Sequence, residues 1–203
     1  MIWRLLDRAL AFESFSTFLE WAASARSNSR HITHYLDDFL FVGPARSPAC
    51  AECLRSFQAL AEELGVPLAA EKTVGPEPRI IYLGILLDSA LGLSRLPEDK
   101  LATLRELLSA MRGRAKCTLR DMPVLMGHLN FACKVVRPGR AFCTHLAKAT
   151  VAATAPQHHI RVTRAIKADL EVWSDFLEHY NYYREFPAGA VRCRWQRGIR
   201  GLL

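Results

Sequence analysis

The stretch HITHYLDDFLFVG, His31 to Gly43, sets two acidic residues, Asp37 and Asp38, inside an otherwise apolar, β-branched and aromatic run. Neighbouring carboxylates repel one another, and a bound divalent cation relieves that repulsion. Magnesium suits such a pair because it takes hard oxygen ligands and shares them with substrate phosphates. Nucleotidyl transfer uses sites of this kind, with two ions about 3.5–4 Å apart clamping the attacking and leaving oxygens. The pair taken alone is equally consistent with an Asp-Asp turn between two surface strands.

Other residues of chemical interest carry weaker signals. Cys50-Ala-Glu-Cys53 has the spacing of half a zinc site, but no second pair matches it. Cys50, Cys53, Phe57, Leu60 and Leu64 share one helical stripe, so the cysteines read as small buried apolar residues. No secretory order precedes them, and no disulfides are expected. His31 and His34 fall on opposite faces of a regular strand, which argues for solvent or core placement over a shared metal. His158-His159 has no acidic or cysteine companion nearby. Trp173, Phe176 and Tyr180 form a stripe that docks a helix.

These residues need elements to hold them. An amphipathic helix is expected from about Leu5 to Ala25, with Leu6, Leu10, Phe15, Phe18, Leu19 and Ala22 as its apolar positions, followed by a polar turn in ARSNSR. Two short strands, about Ile32–Leu36 and Phe39–Val42, place the acidic pair at a hairpin tip. Ser47-Pro48 opens a helix that Gly65 closes. VPLAAEKT is extended and ends in Lys72. Arg79 to Asp88 reads as one dense strand bent at Gly84. A turn or short strand, LGLSRL, leads to a helix from Pro97 to Met111 with a stripe of Leu101, Leu104, Leu108 and Met111. Asp121 is preferred over Thr118 as the next cap, because it puts Pro123 in the first turn. That helix runs to about Val135, RPGR breaks it, a further piece covers Ala141 to Ala152, and Thr163 opens a last helix through Tyr180.

The chain has 203 residues, half of them hydrophobic, which is enough for a substantial core. No run approaches the roughly 18 apolar residues of a membrane span, and MIWRLLDRALAFESF lacks the order of a signal peptide. The reading is a soluble intracellular chain, cytoplasmic or nuclear, without a membrane partner. The formal charge is +7 with a pI near 9.3. It favours a polyanionic partner without specifying one. From Tyr182 onward Arg184, Arg192, Arg194, Arg197 and Arg200 face a single acid, Glu185.

YLDD between apolar strands resembles the Tyr-x-Asp-Asp motif of reverse transcriptases, and further segments follow in that family's order. LGVPLAAEKT resembles the segment whose lysine lies near the incoming nucleotide. IIYLGILLD is similar to the hairpin that grips the primer. LMGHLNFACKVVRPGRAF is similar to a helix and turn of the connecting helical region. The combination resembles polymerases of DIRS-type retroelements, which carry a tyrosine recombinase, over about Phe12 to Asn181. HHIRVTRAIKADLEVWSDFL matches the linker that leads, in that group, into a ribonuclease H domain.

The resemblance implies an α+β fold. Residues 1–96 would form part of a palm with a catalytic β-hairpin, a helix and a primer-grip hairpin. Residues 97–155 would form a helical thumb or connection and 156–181 a linker helix; 182–203, with one acid and no strand alternation where the family would start its ribonuclease H domain, departs from the resemblance and reads as a basic disordered tail. It implies RNA-directed DNA synthesis with two Mg2+ ions, and as partners an RNA template, a DNA primer, their RNA–DNA hybrid and deoxynucleotides. Asp37 and Asp38 would be catalytic and hold metal, with Asp37 the shared ligand. Lys72 would act as a general acid toward pyrophosphate or offset its charge, its plain alternative being a solvated loop lysine. Tyr35 would pack near the primer terminus, and Tyr82, Leu83 and Gly84 would shape the primer grip.

The family site also needs a third carboxylate from an upstream strand. Asp7, Glu13 and Glu20 all fall on the expected first helix, and the fingers and a glycine-bearing motif are missing. The expectation is a chain that begins partway through the palm and is inactive alone, with an unpaired sheet edge where the partner strand would lie. A non-catalytic nucleic-acid-binding remnant is the alternative reading.

Overall fold

The computed structural model describes residues 2–27, 31–151, 159–184 and 191–197. Part of the expected turn at 28–30, His158, and tail residues 185–190 and 198–203 lie outside the described residues. The fold is mixed α+β, with small antiparallel sheets. It divides into two compact units, Met1–Leu93 with Glu185–Leu203, and Ser94–Arg184. Among the described residues no helix is long and apolar enough to cross a membrane.

The first unit opens with α1, Ile2–Ser27. Its buried face is Phe12, Ser16, Leu19 and Ala23, while Leu10, Phe18 and Trp21 are exposed. The expected stripe is therefore rotated, because α1 offers apolar residues on more than one face and the partner elements choose among them. Strands β1, Ile32–Tyr35, and β2, Asp38–Pro44, form an antiparallel hairpin in the register Tyr35↔Asp38 to Ile32↔Phe41. Helix α2, Ala49–Glu63, packs against β2 with Cys50, Cys53, Leu54, Phe57 and Leu60 inward. The Ser47 hydroxyl does not cap α2 but donates to the Pro44 carbonyl at 2.9 Å. At its other end the amides of Gly65 and Val66 donate to Glu62 and Ala61, the double closure of a Schellman motif.

The run Phe39-Leu40-Phe41-Val42 is apolar on both sides because both sides are covered. Phe39 and Phe41 meet Phe57 at ring-centroid distances of 4.6 and 5.3 Å. Leu40 and Val42 cluster with Ile80, Tyr82 and Leu87. Lys72 ends a short 3-10 turn, Ala70–Lys72, before β3, Thr73–Glu77. The run 79–88, one dense strand by its pattern and a hairpin by the resemblance, is a hairpin, β4 (Arg79–Tyr82) and β5 (Ile85–Asp88), turning at Leu83-Gly84. Both turn residues have positive φ, 49° and 75°, the requirement of a two-residue type I′ turn, and glycine meets it without strain.

The tail is the largest departure. Instead of being disordered throughout, Val191–Arg197 forms a strand between β2 and β3, in the order β1, β2, tail strand, β3. The outer edge of β2 is therefore paired. A hydrophobic pattern on nearby residues carries no signal for a partner this distant in sequence.

The second unit begins at β6, Leu93–Arg95, whose first residue belongs to the preceding unit. Helix α3, Glu98–Arg112, buries Leu101, Leu104, Leu108 and Met111 as its periodicity dictates. Strand β7, Lys116–Thr118, ends at the start of α4, Asp121–Ala132. Here the preference for Asp121 as the lone cap fails. The Asp121 amide donates to Thr118 Oγ1 at 3.3 Å, and Asp121 Oδ2 accepts from the Thr118 amide at 3.1 Å, so the two residues cap each other reciprocally. A 3-10 segment, Arg137–Cys143, leads into α5, Thr144–Val151. Strand β8, His159–Arg161, pairs with β7, and neither was expected.

Helix α6, Arg164–His179, starts at Thr163, whose hydroxyl accepts from the Ile166 amide. Ile166, Leu170, Trp173 and Leu177 are its buried face. A Cβ at Gly139 would lie 2.4 Å from the Trp173 ring, so only glycine lets the RPGR turn approach that indole. After α6 comes β9, Tyr183–Arg184. The Asn181 side chain accepts from the Leu96 amide at 3.1 Å and donates to its carbonyl at 3.3 Å, tying the end of α6 to the start of α3 as a strand would.

Candidate functional site

The acidic pair is divided by the hairpin. Tyr35 and Asp38 are register partners, so the two-residue loop is Leu36-Asp37 and Asp38 already belongs to β2. Leu36 takes a positive φ of 52°, a conformation costing about 1–2 kcal/mol for a residue with a Cβ. Its side chain packs against the core of the first unit, which offsets that cost. Asp37 and Asp38 are half-buried, and Tyr35 is 59% exposed beside them.

Tyr82 joins this hairpin to the next. Its hydroxyl donates to the Asp38 carbonyl at 3.3 Å. Burial, then the negative charges of Asp38 and Glu20, push the phenol up to about 12. Leu83 and Gly84 form the adjoining turn. Lys72 is exposed and leads into β3, which the tail strand separates from β2. Asp38, Tyr82, Leu83 and Gly84 thus fall on two adjoining hairpins, and Lys72 lies beyond the intervening strand.

A second polar group escaped the sequence reading. His34 of β1 is almost wholly buried, and its Nδ1 is in close contact with Glu20 Oε2. Its Nε2 stands 3.3 Å from Glu13 Oε1, an ion-pair distance without hydrogen-bond alignment. The imidazole stacks on Phe39 at 5.5 Å. Glu13 and Glu20 are seven residues apart, two turns on one face of α1. That spacing was the available signal, but it does not name the histidine. Two of the three carboxylates considered for the metal therefore serve His34. Asp88 was also missed. Fully buried, it accepts from Arg79 Nε at 2.8 Å and from the Leu91 amide at 3.0 Å.

Among the described residues no group of three or more His, Cys, Asp or Glu side chains is arranged to hold a metal. Asp37 and Asp38 stand next to one another at the hairpin, and among the described residues they are not part of any such group.

The second unit holds a different feature. It contains 15 Lys and Arg against 8 Asp and Glu, so it carries the whole net charge of the chain. A groove of about 370 Å³ between α3 and α4 is lined by Lys100, Pro123, Val124, Gly127, His128 and Phe131. Lys100 and Lys134 place their ammonium groups 4.9 and 5.1 Å from the Phe131 ring centroid, within cation–π range.

No protein family, curated protein or solved structure matches the chain.

Proposed function

We propose that this chain is the hairpin-bearing part of a reverse-transcriptase palm followed by a helical thumb or connection, and that by itself it holds RNA–DNA primer–template duplex without extending it. The observation that carries the reading is the Tyr82–Asp38 hydrogen bond. It joins the YLDD hairpin to the Leu83-Gly84 hairpin, the two elements that the resemblance associates with the primer end. The concentration of positive charge in the second unit supports the duplex-binding half of the reading. Lysines and arginines there would meet phosphates of an A-like hybrid, read by shape. By the resemblance Asp37 and Asp38 would bind magnesium within a larger carboxylate set, and the pair by itself falls short of the positioning that phosphoryl transfer requires.

The test has two arms. Fluorescence anisotropy with a labelled RNA–DNA hybrid, titrated over salt, is expected to show binding that weakens steeply as salt rises, through release of condensed counterions. Binding that is absent or indifferent to salt would sink the reading. Primer extension on an RNA template with magnesium and deoxynucleotides is expected to give no product. Product that disappears in Asp37→Asn would show a complete catalytic site and overturn the non-catalytic half.

A further inference from the structure

The groove between α3 and α4 combines an apolar lining with a cationic rim. The buried Leu96 and Leu104 line it together with Val124, which is 52% exposed. At one end Lys100 and Lys134 stand over the Phe131 ring. No acidic residue lines it. Glu98 and Asp121, at the starts of the two helices, instead pair with Arg105 and Arg114, each at 3.1 Å. An apolar surface edged by unopposed positive charge sets the character of its partner, which must bring apolar side chains and carboxylates together.

Gly127 lies on the groove face of α4, one turn from Pro123 and one from Phe131. Nothing in the chain's own fold calls for glycine there. The residue sits inside a regular helix and is not among the glycines with positive φ. A Cβ added to it would meet nothing within 4 Å, the reverse of Gly139, whose Cβ would strike Trp173. Glycine is the poorest helix former after proline, so Gly127 weakens α4 without improving its packing. A local rule broken with no structural gain marks a functional position. The missing side chain lets another backbone come close to α4.

Pro123 to Phe131 spans about 12 Å along α4, two turns of a facing helix. A sugar-phosphate backbone would satisfy the lysines but supplies no side chain to cover Leu104 and Val124. We propose that this groove is the docking site for an acidic amphipathic helix of another polypeptide. Its apolar residues at i, i+4 and i+7 fill the groove, its backbone crosses α4 at Gly127, and its flanking carboxylates meet Lys100 and Lys134. The inference does not rest on duplex binding. Both readings use the two lysines, so the uncharged Gly127 is the residue that separates them.

The experiment selects binders of the full chain from a displayed library of helical peptides of about 16 residues, long enough to hold a helix. Each carries leucine at i, i+4 and i+7, with Glu, Lys or Ser varied at the flanking positions. Selection is expected to enrich Glu over Lys. The enriched peptides, labelled with fluorescein, should bind Gly127→Leu about tenfold or more weakly, with circular dichroism confirming that the variant folds. Gly127→Ala should melt at a higher temperature than the unsubstituted chain and yet bind the same peptides more weakly, a combination that a purely structural glycine would not give. RNA–DNA hybrid should bind Gly127→Leu as it binds the unsubstituted chain. Enrichment of Lys, or of no flanking charge, would overturn the proposal. So would peptides that bind Gly127→Leu undiminished. A tenfold loss of hybrid binding in Gly127→Leu would assign the groove to nucleic acid instead.

Discussion

The Tyr82 hydroxyl, at the end of β4, donates to the backbone carbonyl of Asp38, the first residue of β2, so the two hairpins of the first unit are joined at their turn ends. The Tyr82 phenol has a titration signature, set by its burial and then by the charges of Asp38 and Glu20. An unfolded phenol releases its proton near pH 10, whereas the folded Tyr82 holds it to about 12. Above pH 10 the unfolded state has fewer protons than the folded one, so this contribution is complete below 10 and is lost as pH rises toward 12. Tyr82→Phe should flatten the fall of melting temperature across that window relative to the unsubstituted chain. Parallel curves for the two proteins would refute the linkage.

Leu83 stores strain in the turn beside that bond. Its φ of 49° places a branched side chain in the left-handed region, next to Gly84. Leu83→Asn should stabilise the chain by about 1 kcal/mol, since Asn-Gly is a preferred type I′ pair. Urea denaturation measures this directly, and a lower midpoint would mean that Leu83 contributes more by packing than it costs by conformation.

Gly139 faces the opposite constraint, an excess of contact. An added methyl would overlap the buried Trp173 ring, so Gly139→Ala should cost about 1–3 kcal/mol as an overpacking substitution. In that background Trp173→Phe should recover part of the loss, because the smaller ring leaves room for the methyl. Double-mutant denaturation curves that simply add would contradict the proposed contact.

Lys100 and Lys134 bracket Phe131 on the basic unit. If each meets a duplex phosphate, replacing both with alanine should lower the slope of log affinity against log salt by about two and weaken binding evenly across hybrid sequences. An unchanged slope would move the phosphate contacts elsewhere on the unit.

What was readable in the sequence was local. The α3 stripe, the β1–β2 hairpin and the Thr163 start of α6 follow from spacing within a few residues, and the structure has all three. The misreadings arose where distant residues decide. Leu10 and Phe18 have the right hydrophobicity for a core, yet Phe12 and Leu19 occupy it because β1 and α2 pack on that face. Asp121 reads as the cap in preference to Thr118, yet the two residues bond reciprocally. His34 reads beside His31, and Glu13 and Glu20 beside Asp7; that the histidine and the glutamates meet depends on how α1 lies over β1.

The tail strand also sets an order of events during synthesis. Residues 191–197 leave the ribosome only after the whole of Ser94–Arg184, so the second unit can fold while the edges of β2 and β3 stand unpaired. Closing that sheet requires contact between Val42 and Cys193, a separation long enough to slow the final step relative to the helical unit. A nascent chain therefore passes through a stage with two bare strand edges. That interval is the best opportunity for a chaperone, or for unwanted pairing with a neighbouring chain, to act on this protein.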